Sequence, residues 1–237
     1  MVNEEQDEPM DVSARVLVRR ARSATLATAL GGRRQGWPYA SLVTVACTAA
    51  ASPILLLSGL ADHTRNLAED ARASLLFEEA SNLPNPQTGP RVTLTGRLKP
   101  TTDPLAARRF LSRHSGAKLY AGFADFRFYR MTVERAHYVG GFGSAKWLGA
   151  KKFLYEAKAA EAVAAAEQRL VKRLNKEQGE SLARLLGKRW MVIGLDPEGL
   201  DLAQGKAFRR LQFVAPVRSG RGIPGAIEKL LHNFENL

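Results

Sequence analysis

The chain has 237 residues, 45% of them hydrophobic and 24% charged, and carries a formal net charge of +12. That composition belongs to a folded protein of one large or two modest domains, and no apolar run approaches the ~20 residues of a membrane-spanning helix. The one cysteine, Cys47, excludes an internal disulfide and reads as a small core residue.

Five of the 23 acidic residues and none of the 35 basic ones fall within residues 1–11, which leaves the rest of the chain at +17. So basic a body attracts anions such as phosphorylated cofactors, haem propionates, nucleic acid or acidic protein surfaces. No helix-turn-helix, aromatic ribonucleoprotein strand or zinc knuckle is present, so a nucleic-acid partner is not expected. The first residues lack the basic start and apolar core of a signal peptide, and a cytoplasmic location is the expectation.

Residues 1–10 read as a disordered tail. Asp11 to Arg22 reads as a short helix, and Ser23 to Ala29 alternates small polar and apolar residues as a half-buried strand does. A turn at 31–36 leads to a second strand over 39–47, and a turn at 49–53 leads to the apolar strand Pro53-Ile54-Leu55-Leu56-Leu57-Ser58. A short polar helix starts near Asp62 and a strand follows over 72–79. The loop Ser81 to Pro90 holds three prolines, and 91–98 alternates cleanly as a strand. Thr102-Asp103-Pro104 opens a helix reaching about Ser112; a second short helix is expected over 114–124 and a long strand over 126–139. Gly140-Gly141-Phe142-Gly143 reads as a turn between domains. Lys151 to Leu186 then reads as two helices, 190–195, 200–202 and 210–214 as strands around a tight Asp196-Pro197-Glu198-Gly199 turn, and 224–236 as a closing helix. Short antiparallel strands joined by tight turns favour a closed barrel over a doubly wound sheet.

The run Leu60 to Asp70 carries the most chemistry. A strand ends at Ser58-Gly59, and Thr64, Arg65 and Asn66 fall in the first turn of the helix that follows. Free backbone N–H groups, a hydroxyl, an amide and a guanidinium are expected to converge there, which is what a phosphate needs. The plainer alternative is a connector helix whose polar residues meet only water. Arg91 shares a strand face with Thr93 and approaches Arg65 if strand 91–98 neighbours strand 53–58. The four histidines, His63, His114, His137 and His232, have no metal-ligand spacing, so no protein-held metal is expected.

The order of apolar strand, Ser58, Thr64-Arg65-Asn66-Leu67 and Asp70 to Leu76 resembles the flavin-binding split β-barrel of the pyridoxamine 5′-phosphate oxidase-like proteins. The strings 38–43, 125–130 and 137–148 resemble more specifically its haem-utilisation branch. The resemblance covers roughly residues 12–150. Residues 151–237 are similar to the small C-terminal domain of that branch, with Gly194 to Leu202 as the clearest signature. It implies a mainly β fold with α: a split β-barrel over 11–150 followed by a small α+β domain over 151–237. It also implies a homodimer with flavin mononucleotide (FMN) at the subunit interface. Carried over, Thr64, Arg65 and Asn66 hold the phosphate with Arg91 as a further candidate; Ser41, Leu42 and Val43 lie beside the isoalloxazine ring and Ser58 faces the ribityl chain.

Two departures bear on function. The true oxidases have lysine where this chain has Asn66, and their Arg-x-His substrate motif has no counterpart, so vitamin chemistry is not expected. The histidine string that opens the C-terminal domain is replaced by Arg173 to Gln178, leaving His232, which reads first as a surface residue and second as an axial haem ligand. Three functions follow in order: a flavin-dependent oxidoreductase of unknown substrate, a haem-binding or haem-utilisation protein, and a non-catalytic regulatory binding module. No catalytic residue is identifiable.

Overall fold

The computed structural model describes residues 9–141, 143–177, 179, 183, 186 and 190–235. Residues 1–8 of the expected N-terminal tail and most of the second helix expected before Leu186 lie outside them, and Met10, expected in the tail, already belongs to the first helix. The first part of the chain runs α1 (Met10–Arg20), β1 (Ser23–Ala29), β2 (Pro38–Thr44), β3 (Ala46–Cys47), β4 (Pro53–Ser58), α2 (Asp62–Glu69), β5 (Arg72–Glu78), β6 (Arg91–Pro100), α3 (Pro104–Arg113), β7 (Phe126–Gly141) and β8 (Ser144–Gly149). The second runs α4 (Ala150–Phe153), α5 (Ala157–Glu177), β9 (Met191–Asp196), β10 (Gly199–Gln204), β11 (Ala207–Gln212) and the closing helix α6 (Ile223–Glu235).

The first eight strands form one curled antiparallel sheet in the order β2-β1-β5-β6-β7-β4-β3, with β8 added alongside β7. Strand β7 organises it. One edge carries β6 along its length; the other carries β4 against 126–130 and β8 against 135–141. At Gly96 the β6–β7 register shifts, and a Cβ there collides with the Thr132 carbonyl, so the bulge requires glycine. The expected strand over 39–47 is interrupted at Val45, and the helix expected over 114–124 is only a 3-10 turn at Ser115–Leu119.

The apolar run of β4 is explained by burial on both faces. Leu55 and Leu57 join Leu26, Leu75, Phe77, Leu94 and Met131 inside the barrel, while Ile54 and Leu56 pack under α3 against Ala106 and Phe110. A strand covered on both sides reads as an unbroken hydrophobic stretch. A separate core forms where α5 and α6 cover the three-stranded sheet β11-β10-β9, with Val163, Leu170, Leu195, Leu200 and Ile227 at its centre. The fold is a split half-barrel with helices followed by an α+β C-terminal domain.

Between the two cores lies a layer of buried ions. Arg15 and Arg19, one helical turn apart on α1, donate to Glu198 at 2.8 and 2.9 Å, and Arg19 also reaches Asp196 at 3.1 Å. Arg113 of α3 meets Asp201 at 2.8 Å, Arg109 meets Glu167, and Arg210 bridges Asp196 and Asp201 at 2.8 and 2.9 Å. The three acids of the β9–β10 hairpin are thus clamped by cations from the barrel's helices.

The glycine-rich string was expected to separate domains. Instead Gly143, at φ +78°, turns the chain from β7 straight back into β8 within the same sheet. Strand β8 itself was not foreseen.

Candidate functional site

The turn from β4 into α2 is pinned by Ser58, whose hydroxyl donates to Asp125 at 2.6 Å and accepts the Leu60 N–H at 3.1 Å. Helix α2 follows Ala61 without a side-chain cap, and the Thr64 and Arg65 N–H groups both donate to the Ala61 carbonyl, at 3.1 and 3.2 Å. Against this end lies a cleft of about 280 Å³ lined by Gly59, Thr64, Arg65, Asp125, Arg127 and Tyr129, among others.

Thr64 is buried, and its Oγ1 has no hydrogen-bond partner. A buried hydroxyl left unpaired costs about 1–3 kcal/mol, and Thr64 belongs to the wall of this cleft. Arg65 is exposed and paired across one turn with Asp62 at 2.6 Å. Such an exposed pair is worth about 0–1 kcal/mol and yields readily to an incoming anion. Arg127, also exposed, comes in from β7, where it is paired with Leu57. The neighbouring Tyr129 is raised in pKa by burial, an effect the Arg127 charge partly offsets, and so enters the site as a neutral phenol.

The expected convergence of Thr64, Arg65 and Asn66 does not occur. Asn66 is buried on another side of α2 and donates to Thr28 Oγ1 at 3.0 Å. Successive helical residues point about 100° apart, so three in a row cannot address one ligand. Ser41 meets His63 instead, with Oγ 3.2 Å from Nδ1; burial pushes the imidazole's pKa down, which keeps it neutral near pH 7. Leu42 is exposed on the opposite face of β2, and Val43 is part of the barrel core.

Arg91 is also elsewhere. Strand β6 does not neighbour β4, because β7 lies between them. Arg91 pairs with Val139, whereas Ser58 pairs with Phe126 at the other end of β7, roughly 40 Å of strand away at about 3.3 Å per residue. Its guanidinium donates to the carbonyls of Gln87 and Gly89 and pins the proline-rich loop. His232 is exposed on α6, and His137 is stacked on Trp147 with ring centroids 4.6 Å apart. Arg127, Tyr129 and His63 were not singled out from sequence, although the alternation of β7 places Arg127 and Tyr129 on one face.

This is a split-barrel protein with a cleft lined by Arg65 and Arg127 at the start of a short helix and a C-terminal domain docked by buried ions. Over residues 5–155 the sequence matches the family described as CREG, beta-barrel, and the chain belongs to that family. It is 29% identical over 214 residues to HOZ, a chloroplastic non-canonical heme oxygenase of Arabidopsis thaliana; the match covers 83% of this chain and 65% of that protein, so the chain spans a little under two thirds of its relative. Among solved structures it resembles the protein Atu2129 of Agrobacterium tumefaciens, of unknown function, with 30% identity, a TM-score of 0.76 and 94% of each chain covered. It also resembles a heme binding protein of Mycobacterium smegmatis, with 29% identity, a TM-score of 0.57 and coverage of 97% and 98%. No helix among the described residues is long and apolar enough to cross a membrane.

Proposed function

We propose that this chain binds haem and that the cleft at α2 receives the acidic edge of the macrocycle. This reverses the order expected from sequence, in which flavin came first. The reading is carried by two relatives named for haem, each matched over most of this chain. The structure contributes donors suited to a carboxylate: the unpaired hydroxyl of Thr64, the guanidinium of Arg65 and that of Arg127. The cleft, at about 280 Å³, fits propionates but does not enclose a porphyrin, which would lie against the outside of the barrel. His63 is held by Ser41 on β2 and does not line this cleft, and His137 is engaged by Trp147. Bound haem would supply an iron centre for oxygen or electron chemistry. The test is haemin titration followed at the Soret band. Saturable uptake that weakens in Arg65→Ala and Thr64→Val supports the reading, and absence of saturable uptake by the unaltered protein ends it.

The same donors suit a phosphate, so FMN is the second reading, with Ser41, Leu42 and Ser58 near it; a parallel titration with FMN separates the two by which chromophore is retained. A homodimer belongs to the proposal as well. In-register residues Leu42, Thr25, Leu76, Thr93, His137 and Trp147 form one row across the outer sheet face. Leu42, Leu76 and Trp147 in that row are 79%, 37% and 48% exposed, an apolar stripe suited to burial against a second copy. A cytoplasmic location is likewise proposed, and the plant relative is chloroplastic.

A further inference from the structure

A second cleft, of about 310 Å³, opens between the two domains and shares no residue with the one at α2. Its walls come from three places. Arg22 and Thr44 stand at one end of the β1–β2 ladder, Ser112 to Ala117 with Tyr120 come from the end of α3 and the turn after it, and the third wall is the β10–β11 hairpin around Lys206.

The charges around it are all of one sign. Arg22, Arg113 and Lys206 line the cleft, and no carboxylate does so among the described residues. Arg113 is already satisfied: it meets Asp201 at 2.8 Å, donates to the carbonyls of Arg19 and Ala21, and lies over the Phe208 ring at 4.4 Å. Arg22 and Lys206 are exposed, and neither enters an ion pair among the described residues. Arg22 is tied to the hairpin, because its Nη1 donates to the Lys206 backbone carbonyl at 2.8 Å across the domain boundary. Neither cation has a carboxylate partner among the described residues, and an anion in the cleft supplies the missing counter-charge. Hydroxyls of Thr44, Ser112 and Ser115 supply neutral donors, and Tyr120 and Phe208 give an apolar wall.

We propose that this interdomain cleft binds a small phosphorylated metabolite, its phosphate lying between Arg22 and Lys206. A fork-shaped guanidinium, an ammonium and hydroxyls match a dianion better than a single carboxylate. The volume is at the low end of the ~300–1,000 Å³ range of small-molecule pockets, enough for a phosphate and one ring-sized body but not a porphyrin. Because one cation belongs to the barrel and the other to the hairpin, occupancy ties the C-terminal domain to the barrel. The α2 cleft and its ligand play no part in this proposal.

The test is calorimetric titration of inorganic pyrophosphate into the full chain carrying Arg65→Ala and Arg127→Ala, which removes both guanidiniums of the α2 cleft. Saturable binding is expected, weakened about tenfold or more by Lys206→Gln and abolished by adding Arg22→Ala. Lys206→Gln leaves the backbone carbonyl that Arg22 uses, so its effect reports charge rather than packing. Absence of saturable binding overturns the proposal, as does binding that both substitutions leave unchanged.

Discussion

Two arginine–carboxylate contacts of nearly equal length do opposite work in this molecule. Arg65 meets Asp62 at 2.6 Å with side chains 63% and 57% exposed; Arg210 meets Asp196 at 2.8 Å with side chains 2% and 1% exposed. Water screens the first pair, which holds Arg65 loosely enough to be handed to a ligand. The second sits among Arg19, Arg109 and Asp201, where losing one partner strands an uncompensated charge. Distance alone therefore does not separate a binding group from a structural one. Burial does: it assigns the barrel's helical arginines to domain docking and leaves Arg65 available for the proposed ligand.

The contrast breaks most visibly at Arg210. Arg210→Ala is expected to destabilise by about 3–5 kcal/mol, because Asp196 and Asp201 both lose a buried partner. Urea denaturation measures it, and a loss below about 1 kcal/mol would place the buried network in the same class as the surface pair.

Acid attacks the same layer more gradually. Burial pushes the Asp196 carboxyl up, but the charges of Arg19 and Arg210 more than offset this and hold it well below the usual carboxylate range. A group whose folded pKa is depressed stabilises the fold above its unfolded value, about 3.9 for aspartate, and loses that contribution as pH falls toward the folded value. Stability is expected to be flat with respect to this group near pH 7 and to fall steeply below about pH 4. His114 adds a milder slope earlier. Burial lowers its pKa, so the unfolded chain takes up protons first and stability starts to decline as pH drops through the ordinary imidazole range. Denaturant midpoints measured across this range, with Asp196→Asn as control, should lose the steep segment in the variant.

How much of this was legible in the sequence depends on whether one side of an element was enough to read it. Strand β4 was legible because both of its faces are apolar. Strand β8 was not: only Leu148 is buried, and Trp147 is held by His137 and Arg135 on the open face, so no alternation signalled a strand. The start of α2 was correctly placed, yet its three polar residues were given one target although helical geometry separates them. The ion layer was missed because arginines on an amphipathic helix read as solvent-facing. Its signal was present in the spacing of Arg15 with Arg19 and Arg109 with Arg113, each pair four apart and so on one face, set against the acids of Asp196 to Asp201.

Thr64→Val sharpens the comparison from the side of the cleft. Replacing an unpartnered buried hydroxyl by a methyl of similar shape is expected to leave stability unchanged or raise it by up to about 1 kcal/mol, while haemin uptake weakens. A clear loss of stability would mean that the hydroxyl is satisfied within the fold and is not waiting for a ligand.

The smallest effect on stability is expected at Arg65, and it is the most discriminating. Arg65→Ala removes an exposed contact to Asp62 and should shift unfolding by about 0–1 kcal/mol. Arg65→Lys keeps the charge but loses the two-pronged geometry that fits a carboxylate or phosphate edge. Haemin affinity should then fall in the order Arg, Lys, Ala, with the unfolding midpoint nearly constant across all three. If lysine restores full affinity, position 65 attracts the ligand only by charge, and Arg127 and Thr64 carry the shape recognition. If all three bind alike, position 65 plays no part, and the anion-receptive character of the cleft rests on Thr64 and Arg127.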